Sequence, residues 1–296
     1  MGHEHIIKEN TAMPAAARQR KYASDSIEQD TTIIDIGDGV KIGGNRIVIM
    51  AGPCSVESEE QIISIAQELR SMGIRILRGG AYKPRTSPYD FQGLGEEGLE
   101  YLKYASRLTG LKIITEVIDP RNVELVTNFA DILQIGTRSM QNYPLLREVG
   151  KSRMPVLLKR GMSATYKEFL LAAEYIMVGG NEKVILCERG IRTLINELRF
   201  TLDLNAVPYL KQRTHLPIIV DPSHGTGSAS LVIDMSKAAI ACGADGLLIE
   251  THPHPQESKS DAAQTISTDE LKKSMPGLAR IAQAVGRKID GDNNAD

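Results

Sequence analysis

"RIVIMAGPCSVESEEQIISIAQELRSMGIRILRGG", residues 46–80, decides the fold. It opens on a β-branched apolar run at 46–50 and breaks at Gly52-Pro53. It resumes at 58–73 with helical spacing, in which Ile62, Ile65, Ala66 and Leu69 share one face. Gly73 stands where a helix would stop, and a second β-branched run, "RILR" at 75–78, follows at once. Strand, helix and strand in that order describe a right-handed βαβ unit on a parallel sheet.

The same alternation runs along the chain. After the first two strands come "KIITEV" at 112–117, "DILQIG" at 131–136, "PVLLKRG" at 155–161, "KVILCERG" at 183–190, "PIIVDPSH" at 217–224 and "GLLIETHP" at 246–253. A second helical stretch, "LVIDMSKAAIACGADG" at 231–246, places Val232, Met235, Ala239 and Cys242 on one stripe before Gly243. Eight such units over about 240 residues predict a (β/α)8 barrel, with a doubly wound open sheet as the alternative. Ahead of them, "TTIIDIGDGVKIGG" at 31–44 reads as a hairpin around a Gly-Asp-Gly turn, closing the barrel floor. The expected division is a loose arm over 1–30, the hairpin over 31–44, the barrel over 45–286 and a disordered tail over 287–296.

Composition narrows the function classes. With 296 residues, 42% of them hydrophobic, and a net charge of −2, nothing suggests nucleic acid or membrane as a partner. No run approaches the ~18 apolar residues of a membrane span, and the polar N-terminus lacks the core of a signal peptide. "HEH" at 3–5 reads as part of a solvated tail rather than a metal site. The three cysteines, Cys54, Cys187 and Cys242, are odd in number and widely spaced, which argues against a disulfide framework and for a reducing, cytoplasmic location.

Chemistry in such barrels sits at the carboxyl ends of the strands. In chain order those ends carry Cys54; Arg78 with Lys83 and Arg85; Glu116; Arg138; Lys159 with Arg160; Glu188 with Arg189; His224; and Glu250. Solvated surface charge has no reason to favour one end of every strand. Arg78, Lys83, Arg85, Arg138, Lys159, Arg160 and Arg189 form a cationic collection suited to the phosphate and carboxylate groups of an anionic substrate. Cys54, His224, Glu250 and the nearby Asp261 form a mixed soft and hard set suited to a divalent transition metal. Each of the four alone reads otherwise: Cys54 as packing, His224 as a hydrogen-bonded core histidine, Asp261 as a loop residue. A last strand closing against the first brings them together. Cys187 and Cys242 read as core, and His252 and His254 as loop or supporting residues beside Glu250. "GTGSAS" at 225–230 reads as a turn that binds phosphate through backbone amides, not as a dinucleotide loop.

With these residues in place, the chain resembles the 3-deoxy-D-arabino-heptulosonate 7-phosphate (DAHP) synthases of the barrel class related to 3-deoxy-D-manno-octulosonate 8-phosphate synthases. The likeness covers residues 45 to about 285 and rests on "AGPCSVES", "LRGGAYKPRTSPYDFQGLG", "TEV", "QIGTRSMQNYPLL", "LLKRG", "LCERGIRT", "DPSHGTG" and "IETHPHP" followed by Asp261. The resemblance implies that Cys54, His224, Glu250 and Asp261 bind the catalytic divalent metal, Mn2+ first, with Zn2+, Fe2+ and Co2+ as alternatives. It implies that Arg78, Arg138, Lys159 and Arg189 hold phosphoenolpyruvate, with Glu116 close by. Lys83, Pro84, Arg85 and Thr86 would meet erythrose 4-phosphate. The catalytic set it implies is Lys83, Glu116, Lys159 and Asp261, with the proton donor left open.

The implied reaction opens the shikimate pathway of aromatic amino acid biosynthesis. The octulosonate branch carries a "KANR"-like stretch where this chain has "KPRT", so the four-carbon sugar phosphate is expected. Octulosonate 8-phosphate synthesis, a secondary-metabolism paralogue and, more remotely, a non-catalytic metabolite-binding barrel are the alternatives. A homodimer or homotetramer is expected from the same resemblance. The sequence offers no stretch for an added regulatory module, so direct inhibition by aromatic amino acids is not expected. A separate chorismate mutase stays open as a regulatory partner.

Overall fold

The computed structural model describes residues 32–291, so the expected N-terminal arm lies outside the described residues. The hairpin comes first, as β1 (Ile34–Gly37) and β2 (Val40–Ile42) in antiparallel register. Its turn, Gly37-Asp38-Gly39, has positive φ throughout, which glycine tolerates and aspartate adopts more readily than most residues.

Eight parallel strands follow: β3 (Arg46–Gly52), β4 (Ile76–Arg78), β5 (Lys112–Glu116), β6 (Ile132–Ile135), β7 (Val156–Lys159), β8 (Val184–Glu188), β9 (Ile218–Val220) and β10 (Gly246–His252). Each pairs with the next, and β10 returns to pair with β3 from Gly246 opposite Val48 to Glu250 opposite Gly52. The sheet is therefore a closed (β/α)8 barrel, not an open doubly wound sheet. At the closing seam a Cβ on Gly246 would stand 2.5 Å from the Val48 carbonyl oxygen, so only glycine lets the two backbones meet there.

Alternation along the strands divides the core in two. Residues facing the helices, such as Ile47, Ile49, Leu77, Ile113 and Leu158, join one cluster. Inward-facing Val48, Met50, Ile76, Ile114, Ile132, Leu157, Ile185, Cys187, Ile219 and Leu248 form the other. Ile34, Ile36, Val40 and Ile42 of the hairpin belong to this inner cluster, so the hairpin plugs the barrel floor with apolar side chains.

Helices cover the outside. In Glu59–Ser71, capped by the Ser58 hydroxyl accepting from the Gln61 amide at 3.1 Å, the buried residues are Ile62, Ile65, Ala66 and Leu69, as the spacing predicts. In Ala229–Ala241 the buried residues are Val232, Ser236, Ala239 and Ile240, whereas Met235 and Cys242 are only half-buried. Ser236 tolerates burial because its hydroxyl donates to the Val232 carbonyl at 2.6 Å, a bond that an apolar pattern does not register.

Residues 287–291 depart from the loose tail expected there. β12 (Lys288–Ile289) pairs in parallel with Arg46 and Ile47, and the Arg287 guanidinium donates to the carbonyls of Gly44 and Ala244 while pairing with Asp245. A short strand between them, β11 (Ile266–Ser267), extends β10 beyond the barrel rim. Among the described residues no helix is long and apolar enough to cross a membrane.

Candidate active site

The strand register decides which side chains face the mouth. Each inward position of the inner core is followed two residues later by another inward position. Ile76 thus leads to Arg78, Ile114 to Glu116, Leu157 to Lys159, Cys187 to Arg189 and Leu248 to Glu250. The same rule turns Arg160 and Glu188 outward. These two, placed among the strand-end groups by sequence, pair with each other at 2.9 Å behind the barrel wall. Arg160 also pairs with Asp203 and lies over the Tyr166 ring, so it does not belong to the cavity's cationic set.

The inward groups surround a cavity of about 250 Å³. Seven cationic side chains line it, Arg78, Lys83, Arg85, Arg138, Lys159, Arg189 and Arg199, against three carboxylates, Asp90, Glu116 and Asp261, so the space favours a polyanion. Pro84 and Thr86 complete the wall beside Arg85. Arg78, Lys83, Lys159 and Arg189 are buried, while Arg138 is exposed at the rim. Arg85 pairs with Asp90 at 3.2 Å, and Arg138 donates to the Pro84 carbonyl at 3.4 Å. Glu116 accepts from Gln134 Nε2 at 3.3 Å. A Cβ on Gly136 would stand 2.0 Å from Glu116 Oε1, so the glycine makes room for the carboxylate.

Strand closure brings the metal candidates together. Gly52 sits opposite Glu250, and Cys54 follows two residues later. Cys54 Sγ lies 3.2 Å from Asp261 Oδ2, and His224 Nε2 lies 3.5 Å from Glu250 Oε1 and 3.7 Å from Asp261 Oδ2. All four ligand atoms lie within 4.8 Å of one another. Burial, together with the Glu250 charge, pushes the Cys54 thiol up to about 12. Burial alone would raise Glu250 and Asp261 too. His224 and Arg78 outweigh it at Glu250, and His224 and Lys83 at Asp261, so both carboxyls stay below their ordinary range. One thiol, one imidazole and two carboxylates at this spacing fit a divalent transition metal, whose charge would favour the thiolate that burial opposes.

Several supporting residues were not singled out from sequence. Asp221 caps the short helix Pro222–Thr226, accepting from the His224 amide at 2.8 Å through Oδ1. Its Oδ2 faces His224 Nδ1 at 2.8 Å and Lys159 Nζ at 2.6 Å. A carboxylate on Nδ1 places the proton there and leaves Nε2 free toward Glu250 and Asp261. Burial opposes the Asp221 charge, but His224 and Lys159 outweigh it and hold the carboxyl well below its usual range. Gln264 donates to Glu250 Oε2 at 2.6 Å, and Arg199 reaches Asp261 Oδ1 at 3.3 Å. Asp221 and Gln134 stand two residues beyond the inward Ile219 and Ile132, so the strand register carried a signal for both. Arg199, Phe200 and Gln264 come from loops with no such register.

The remaining sequence candidates stay outside the donor set. His252 Nδ1 accepts from the His254 amide at 3.0 Å. Cys187 lies in the inner core, and half-buried Cys242 bonds the Ala239 carbonyl at 3.3 Å. Residues 225–230 are not one turn: Gly225 and Thr226 end the helix Pro222–Thr226, left-handed Gly227 and Ser228 form the junction, and Ala229 and Ser230 open the helix Ala229–Ala241.

Residues 26–285 match the DAHP synthetase I family. The chain belongs to that family. It is 49% identical over 270 residues to phospho-2-dehydro-3-deoxyheptonate aldolase of Thermotoga maritima, a match spanning 91% of this chain and 80% of the relative. The crystal structure of the Thermotoga enzyme superposes with a TM-score of 0.87 over 91% of this chain and 78% of that one. A truncated form of the 3-deoxy-D-arabino-heptulosonate 7-phosphate synthase from the same organism is 45% identical, with a TM-score of 0.84 over 90% and 98% of the two chains. The 2-dehydro-3-deoxyphosphooctonate aldolase of Syntrophotalea carbinolica is more distant, at 30% identity over 261 residues, 82% of this chain and 93% of its own.

Proposed function

We propose that this chain condenses phosphoenolpyruvate with erythrose 4-phosphate and water, giving 3-deoxy-D-arabino-heptulosonate 7-phosphate and inorganic phosphate. The observation that carries the reading is one cavity in which seven cations meet a four-residue metal-donor set, in a chain 49% identical to a heptonate aldolase. Arg78, Arg138, Lys159 and Arg189 hold the phosphate and carboxylate of phosphoenolpyruvate. Lys83, Pro84, Arg85 and Thr86 receive the sugar phosphate, the proline fixing the backbone that presents Arg85.

The C2–C3 π pair of phosphoenolpyruvate forms the new bond to the aldehyde carbon, whose oxygen takes a proton and becomes a hydroxyl. Water adds at C2 and loses a proton, and C–O cleavage then releases phosphate and leaves the ketone. Cys54, His224, Glu250 and Asp261 would hold the divalent ion, Mn2+ by resemblance, which supplies Lewis acidity and a template for oxygen ligands. The cations hold both anions with their reacting carbons together, which turns a bimolecular encounter into a positioned one. Lys83, Glu116 and Lys159 face the cavity and are the groups placed to move the protons.

The test is turnover by purified protein supplied with Mn2+, phosphoenolpyruvate and either erythrose 4-phosphate or arabinose 5-phosphate, following phosphate release. Preference for the four-carbon aldehyde is the expected result. Preference for arabinose 5-phosphate would move the chain to the octulosonate reaction, and no phosphate release with either would overturn the enzymatic reading.

A further inference from the structure

Arg189 differs from the other buried arginine and from Lys159 in the cavity, while Lys83 is held by the Cys54 carbonyl and thiol at 3.1 and 3.0 Å. Arg78 is held by Glu250 at 2.5 Å and Lys159 by Asp221 at 2.6 Å. Arg160, just behind the wall, is held by Glu188 and Asp203. Arg189 is 4% exposed and makes no ion pair among the described residues; its Nε, like that of Arg78, is buried without a hydrogen-bond partner, and Nη1 reaches only the Gly190 carbonyl at 3.5 Å. What it does meet is the ring of Phe200, with the guanidinium carbon 4.0 Å from the ring centroid.

The chain goes to some length to bring that ring there. Gly190 adopts φ +87, and a Cβ on it would stand 3.0 Å from Phe200 Cβ and 2.9 Å from the Gly225 carbonyl oxygen. Beyond Gly190 the loop folds back, with Ile191 and Thr201 exchanging both backbone hydrogen bonds at 3.0 and 2.9 Å. Thr193 and Thr201 add a hydroxyl contact at 2.7 Å. Phe200, itself buried, is thereby pinned beside Arg189 and lines the same cavity.

We propose that Phe200 is a positioning residue: its π face holds the Arg189 guanidinium so that the N–H edges stay open to the anionic group of phosphoenolpyruvate. The inference rests on the function proposed above. The physical logic is one of competition. A buried guanidinium needs some compensation for its charge, and a carboxylate would supply it but would also occupy the donors, as Glu188 does at Arg160. An aromatic face attracts the cation through its quadrupole while using none of the five N–H donors. Arg189 is thus kept in place yet left free for a ligand.

The test measures phosphoenolpyruvate binding by calorimetry to the Mn2+-loaded full chain, with phenylalanine 200 replaced by tyrosine, by leucine, and by di- and pentafluorophenylalanine. Fluorination withdraws the negative face while nearly keeping the ring's shape, so a packing role would not track it. Affinity should fall progressively with fluorination, reach about tenfold in Phe200→Leu and stay within twofold of wild type in Phe200→Tyr. KM for erythrose 4-phosphate should stay unchanged. In an Arg189→Ala background Phe200→Leu should add nothing further. Binding by the fluorinated variants equal to wild type, or an equal loss from Phe200→Leu in the Arg189→Ala background, overturns the inference and leaves the proposed reaction standing. Failure of the wild-type protein to bind phosphoenolpyruvate at all overturns both.

Discussion

Replacing Asp221 by asparagine keeps the shape of the side chain and removes what it does. All three of its partners donate: the His224 amide to Oδ1 at 2.8 Å, and His224 Nδ1 and Lys159 Nζ to Oδ2 at 2.8 and 2.6 Å. An amide offers one acceptor oxygen, so in either flip its NH2 faces a donor. With the oxygen toward the backbone, Lys159 and His224 lose charge-assisted bonds; with it toward Lys159, the helix loses its cap. In both cases the Lys159 ammonium is left buried without a counter-charge. Breaking such a pair costs about 3–5 kcal/mol. At ~2–4 °C per kcal/mol, the Tm should fall by roughly 10 °C. Releasing Nδ1 should also weaken Mn2+ binding by about 10–100-fold, because the carboxylate fixes the tautomer that presents Nε2. Thermal unfolding of the metal-free protein and a Mn2+ titration check the two effects separately. A variant within 1 kcal/mol of wild-type stability, with unchanged Mn2+ affinity, would refute the bridge.

Other substitutions probe the two halves of the cavity and the core. Cys54→Ala should abolish turnover while the protein stays folded, and exhaustive chelation should do the same to wild type, reversibly on adding Mn2+; full turnover after chelation would remove the metal assignment. Arg189→Ala and Lys159→Ala should lower kcat/KM for phosphoenolpyruvate at least tenfold, and Arg85→Ala that for erythrose 4-phosphate, with charge-assisted contacts worth ~1.5–3 kcal/mol; equal, small effects on both substrates would mean the halves are misplaced. Gly136→Ala should reduce kcat/KM more than stability, since its Cβ would stand 2.0 Å from Glu116 Oε1, and steady-state kinetics beside a melting curve would show which responds. Ile42→Ala, a fully buried side chain of the floor hairpin, should cost about 2–5 kcal/mol by urea unfolding without changing kcat/KM.

The barrel was legible because each strand and helix carried its own local signal. The eight β-branched runs lie at the eight strands, and Ile62, Ile65, Ala66 and Leu69 lie on the buried face their spacing predicts. Side-chain direction at the strand ends was read less well. Position at a strand end does not separate Lys159 from Arg160 or Arg189 from Glu188; the two-residue period does, turning one of each pair outward, and it also points Asp221 and Gln134 inward. Periodicity could have corrected both. It could not have found Arg199 or Phe200, because their positions depend on the loop reversal at Gly190 and on the backbone pairing of Ile191 with Thr201. Lys288 and Ile289 likewise become a strand only by pairing with Arg46 and Ile47, where β3 runs ahead of its barrel neighbours, a tertiary opportunity that two residues of sequence do not announce.

The cavity has a further regularity that links its two chemistries. Each of the four candidate metal donors is tied to one cation of the cavity wall: Cys54 to Lys83 at 3.0 Å, Glu250 to Arg78 at 2.5 Å, Asp261 to Arg199 at 3.3 Å, and His224 through Asp221 to Lys159. The negative charge of Glu250 and Asp261 is therefore shared between a cation already in the wall and any ion the donors would hold. A divalent ion drawing on that charge would leave the attached lysines and arginines less fully compensated and more attractive to an anion, and an anion on those cations would leave the donors richer in charge for the ion. Arg138 and Arg189 stand outside this arrangement, since neither makes an ion pair among the described residues. An anion on Arg138 or Arg189 would break no internal pair, whereas one on Arg78 or Lys159 would compete with Glu250 or Asp221.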